Sequence, residues 1–217
     1  SWWFTELYAI WHKEPGEPYS FDAWEWENKF QLTETGKYPV DIGFLFEIER
    51  PRDRSDGYEL RFGPLLQSDL TPKLQANLNL LFEKHVDAAE PIKTELGYQW
   101  QLKYRWQPAF EFGLQGLGDV GPYNHWEPHD EQPHQAGPAV FGRVKLGEHQ
   151  ALTYNAGLLF GMTDGAPRHT LGCCQHGVDV VEDLLTDGFG PQAAHAPVDE
   201  ALLGRPGVGG PRRRRAV

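Results

Sequence analysis

Apolar and polar side chains alternate with a period of two along most of the chain, which predicts β-strands with one greasy and one polar face. In the first run Trp3, Thr5, Leu7, Ala9 and Trp11 oppose Glu6 and His12. In the second Trp24, Trp26, Phe30 and Leu32 oppose Glu25, Glu27, Lys29 and Gln31. The third sets Val40, Ile42, Phe44, Phe46 and Ile48 against Asp41, Gly43, Glu47 and Glu49. The fourth sets Tyr58, Leu60, Phe62 and Leu66 against Glu59, Arg61, Gly63 and Gln67. In the fifth, Leu74, Ala76, Leu78, Leu80 and Phe82 face away from Gln75, Asn77, Asn79 and Glu83. In the sixth, Leu96, Tyr98, Trp100, Leu102 and Tyr104 face away from Glu95, Gln99, Gln101, Lys103 and Arg105. The seventh sets Phe110, Phe112 and Leu114 against Glu111, Gly113 and Gln115. An eighth, weaker run covers residues 139–146. The ninth sets Leu152, Tyr154, Ala156, Leu158, Phe160 and Met162 against Thr153, Asn155, Gly157 and Gly161, and a tenth begins near His169. Pro64 interrupts the fourth run, where a missing N–H predicts a bulge or an early strand end.

The runs are joined by connections that alternate in length. Residues 34–39, 68–72, 107–108 and 147–150 form short ones; residues 13–20, 50–56, 84–91, 118–137 and 163–168 form longer ones. Outer-membrane barrels combine short turns on one side with longer loops on the other. No amphipathic helix is available to cover the apolar face, whereas lipid would cover it and closure would remove the sheet edges. These patterns predict an all-β fold, an antiparallel up-and-down transmembrane β-barrel, over residues 1–171. Trp3, Trp11, Trp24, Trp26, Tyr58, Trp106 and Tyr154 are then expected as interfacial aromatics, although Trp and Tyr favour any strand.

Composition changes after residues 170–171. Of the aromatic residues (Trp 8, Tyr 8, Phe 12), only Phe189 lies in residues 172–217. That segment also holds Cys173, Cys174, a Gly/Pro-rich run and the arginines of 212–215. It reads as a disordered or frame-shifted tail, with one short helix at 178–185. The two adjacent cysteines form neither a disulfide scaffold nor a CxxC metal site. A net charge of −11 argues against nucleic acid as a partner. No apolar run is long enough for a transmembrane helix, a limit that does not apply to strands.

Several phrases carry a resemblance: residues 3–8 (WFTELY), 21–28 (FDAWEWEN), 30–34 (FQLTE), 49–51 (ERP), 94–96 (TEL) and 157–164 (GLLFGMTD). In these the chain resembles an uncharacterised family of proteobacterial outer-membrane β-barrel proteins, over roughly residues 1–171. The resemblance implies a leader and two strands ahead of Ser1, a closing strand with a terminal aromatic, and about twelve strands in all. It implies an outer-membrane location, with lipid and lipopolysaccharide as surroundings and the outer-membrane assembly machinery as partner. The chain is expected to be a monomer, and the family carries no activity onto individual residues.

The polar face supplies the candidate chemistry. Glu25, Glu27, Asp41, Glu47, Glu49, Glu59, Asn77, Asn79, Glu83, Glu95 and Glu111 line it, with Arg61, Lys29, Lys103 and Arg105 as counter-charges. Such residues fill a small barrel by pairing with one another, or form a path for cations and polar solutes. The loop 118–137 gathers His125, Glu127, His129, Asp130, Glu131 and His134 in no recognised metal spacing, so an exposed loop outweighs a metal contact. Serines occur only at Ser1, Ser20, Ser55 and Ser68, none in a GxSxG elbow, and no Walker loop occurs. No catalytic residue, cofactor or fixed metal is expected. The alternatives are a lipid-modifying outer-membrane enzyme and a soluble β-sandwich or jelly roll binding glycans through exposed Trp.

Overall fold

A computed structural model describes residues 2–12, 18–52, 54–55, 57–145 and 150–180. Its regular elements are ten strands: β1 (Trp3–His12), β2 (Ser20–Gln31), β3 (Asp41–Pro51), β4 (Tyr58–Thr71), β5 (Leu74–Val86), β6 (Glu95–Gln107), β7 (Phe110–Pro122), β8 (His134–Lys145), β9 (Gln150–Gly161) and β10 (His169–Val180). They form one sheet in sequence order, each strand antiparallel to the next. The period-two runs thus become an all-β up-and-down meander. It is open, because among the described residues β1 and β10 are edges with no pairing between them.

Three local expectations change. Pro64 produces neither a bulge nor an early end: β4 runs to Thr71, and Pro64 sits opposite Phe44 of β3. The ladder to β5 passes from Phe62↔Phe82 to Leu65↔Asn79 with register unchanged, so the lost donor is tolerated locally. The alternation of connection lengths is imperfect. Residues 32–40 form a longer link than residues 52–57 at the opposite end. That link is held by its own bonds: both Asp41 carboxylate oxygens accept the Gly36 N–H, at 2.9 and 3.0 Å. Finally, β10 continues past Leu171 to Val180, so the helix expected from Val178 begins on residues that pair with β9. The remainder of that expected helix and tail, residues 181–217, lies outside the described residues.

One face of this single layer is enclosed. Glu47 is 2% exposed and Glu27 4%, while Leu7 on the other face is 70% exposed and Trp11 61%. A flat sheet without a covering layer leaves both faces open. No second layer occurs among the described residues, so curvature must enclose the polar face. Glycines on that face permit the bend. A Cβ at Gly63, Gly113 or Gly137 would strike the backbone carbonyl of Leu80, Leu102 or Leu158 on the adjacent strand.

The enclosed face also carries apolar residues that the alternation reading passed over. Leu45, Leu65 and Leu81 form a buried cluster there. Each stands opposite a glycine of a neighbouring strand: Leu45 opposite Gly63, Leu65 opposite Gly43, Leu81 opposite Gly97. A branched side chain facing a glycine fills the space that the glycine leaves without strain.

Candidate functional site

The strand register sets the polar candidates in rows. Glu6, Glu27, Glu47, Arg61, Glu83 and Glu95 follow one another across β1 to β6. Tyr8, Glu25, Glu49, Glu59 and His85 form the adjacent row. Both rows lie between the leucine cluster and the end bearing the connection 52–57. That end of the interior holds the carboxylates Glu6, Glu25, Glu27, Glu47, Glu49, Glu59 and Glu83 against the fixed cations Lys29 and Arg61.

Arg61 is the hub. Its Nη1 donates to Glu47 Oε1 at 3.0 Å and its Nη2 to Glu59 Oε1 at 2.8 Å, with Glu83 at 3.6 Å. His85 Nε2 lies 3.4 Å from Glu83. Lys29 Nζ holds Glu27 Oε1 at 2.6 Å and reaches Glu6 at 4.0 Å. Glu25, Glu27 and Glu47 each offer a carboxylate oxygen, and these three oxygens lie within 4.8 Å of one another. Alternation marks Glu25, Glu27 and Glu47 as facing alike; only the register shows that they converge.

The opposite end is balanced. Lys103 pairs with Glu111 at 3.4 Å, and Arg105 with Asp69 at 3.0 Å. Between the ends stand Asn77, Asn79 and the buried Gln67, while the buried Gln75 lies level with Asp69 and Lys103. Asp41, expected among the interior acids, instead spends its carboxylate on the turn at Gly36.

The aromatic candidates separate by strand end. Trp11, Trp24 and Tyr58 lie at the end of the longer loops. There Trp11 meets Phe21 edge-on at 5.6 Å and Arg50 stands over the Tyr58 ring at 5.9 Å. Trp3, Trp106 and Tyr154 lie toward the other end, where Trp106 meets Phe110 and the Tyr154 hydroxyl donates to the Ala109 carbonyl at 2.7 Å. Trp26 departs from the expected rim: it sits mid-strand between Leu7 and Ile48. Its indole N–H donates to Thr5 Oγ1 at 2.9 Å, and that of Trp3 to Asn28 Oδ1 at 3.1 Å.

The histidine-rich loop does not assemble a metal site among the described residues. Both ring nitrogens of His134 are engaged, Nδ1 with the Tyr98 hydroxyl at 2.9 Å and Nε2 with Gln132 Oε1 at 2.8 Å. His129 rests against the His134 ring at 5.3 Å, and His125 is exposed. Gln132 donates to the Glu127 carbonyl, and Thr163 Oγ1 donates to the Gln132 carbonyl. The histidine is a pin for this loop rather than a ligand.

Comparison with family models, curated proteins and solved structures returns no match.

Proposed function

We propose that the chain forms the wall of an integral β-barrel of a bacterial outer membrane, with an acidic interior that receives cations and small polar solutes. The observation that carries this reading is the inverted distribution of side chains. Carboxylates are enclosed, while large apolar residues are exposed on every strand from β1 (Trp3) to β10 (Leu171). In water each such side chain forgoes about 1.5–3 kcal/mol of available burial energy. In hydrocarbon the same surface is in its preferred solvent, and the enclosed acids stay out of lipid.

Two further features support the reading. The Trp26 and Trp3 indole N–H groups are satisfied by neighbouring side chains on the outward face, as a low-dielectric surround demands. The two aromatic groups suit the two interfaces of a bilayer. From Trp3 to Trp11 the chain advances about 26 Å at roughly 3.3 Å per residue. With the usual strand tilt that becomes about 20 Å along the normal, near the ~25 Å apolar band of such barrels.

The test is folding of the chain in aqueous buffer, in detergent micelles and in lipid vesicles, followed by circular dichroism and protease protection. The expected result is a protected β-sheet form only with detergent or lipid. A folded, monodisperse monomer in plain buffer would overturn the proposal and favour a soluble sheet protein.

A further inference from the structure

We propose that Glu25, Glu27 and Glu47 form a binding site for one divalent cation of the calcium type on the enclosed face. This deepens the acidic-interior reading and rests on its enclosure of that face, though not on lipid outside it.

Convergence is the first observation. Two oxygens that each sit about 2.3–2.6 Å from one calcium ion can be at most about 5 Å apart. The three carboxylate oxygens lie within 4.8 Å of one another, inside that limit.

The second observation is a missing partner. Glu25 is only 7% exposed, yet it makes no hydrogen bond or ion pair with any described residue. Its carboxylate points at Glu27 and Glu47, which already have Lys29 and Arg61 beside one oxygen each. Burying an unpaired carboxylate is costly, and a cation at the shared point would remove that cost for Glu25. The neighbouring group Glu59, Glu83 and His85 has no such orphan. Arg61 lies against both of its carboxylates, and His85 against Glu83. Hard carboxylate oxygens without sulfur or imidazole select calcium over zinc or copper.

The experiment is calorimetric titration of calcium chloride into the full chain folded in detergent micelles near neutral pH. One saturable site is expected. Glu25→Gln, which keeps the shape and removes the charge, should weaken it by about tenfold or more. Glu34→Gln, on the exposed 32–40 connection, should leave it unchanged, and Glu25→Asp should give a smaller loss than Glu25→Gln. The absence of a saturable site in the wild type would overturn the proposal, as would a Glu25→Gln variant that binds like it. Proton uptake by the cluster without calcium binding would also overturn it. Repeating the circular dichroism without detergent separates the two readings. A chain that folds in buffer and binds calcium sinks the membrane assignment alone. One that folds only in micelles and ignores calcium sinks the ion site alone.

Discussion

At the scale of single residues, Arg61 and the glycines decide most. Arg61 lies within ion-pairing distance of Glu47, Glu59 and Glu83 in a largely buried setting. Replacing it by Met leaves those carboxylates uncompensated, so Arg61→Met should destabilise the folded protein by about 3–5 kcal/mol in denaturant titration. Adding Glu47→Gln should recover part of the loss, which a purely steric effect of the methionine would not allow. The glycines separate by what their missing side chain would meet. At Gly63 a Cβ strikes the Leu80 carbonyl, which cannot move without the ladder; at Gly97 the nearest atoms are 3.5 Å away, an ordinary contact. Gly63→Ala should therefore cost about 1–3 kcal/mol, while Gly97→Ala should change the unfolding midpoint little.

At the scale of elements, each strand has one enclosed and one exposed face, and substitutions can tell what covers the exposed one. Leu78 lies mid-strand on the exposed face of β5, opposite Leu66 and Trp100. If lipid covers it, Leu78→Arg should lower folding stability in vesicles by about 2–4 kcal/mol. In a protein whose exposed face meets water the same change would move stability by no more than about 0.5 kcal/mol. The loop between β7 and β8 makes a separate forecast. Tyr98→Phe removes the hydroxyl from His134 Nδ1 and should speed amide hydrogen exchange across residues 123–133, leaving β6 and β7 protected. A pattern of exchange identical to the wild type would show that the pin is idle.

These elements were largely readable in advance, for a physical reason. A strand's side chains alternate strictly, so Phe44, Phe46 and Ile48 against Glu47 and Glu49 reveal both the element and its faces. What the pattern cannot carry is register. Glu25 and Glu47 are far apart in sequence, and their convergence depends on Glu27 pairing with Glu47 and no other residue of β3. The same blindness hid the leucine cluster, since Leu45 looks like an error in a polar face until Gly63 is seen across from it. Pro64 misled for the opposite reason: its missing N–H is a local fact, and the ladder absorbed it. Asp41 obeyed the alternation, but its carboxylate was claimed by a turn that the pattern does not describe.

At the scale of the whole molecule, the enclosed face is an uneven container. Carboxylates in excess of cations occupy one end, three leucines stand beside them, and paired charges occupy the other. This lopsided charge gives the molecule an electrical polarity along the strand direction. Counter-ions gather at the acidic end, and added salt screens its field within about 10 Å at 0.1 M ionic strength while altering the other end little. In the proposed barrel a charged solute would therefore meet two different entrances: one that attracts positive species and repels negative ones, and one that scarcely distinguishes them.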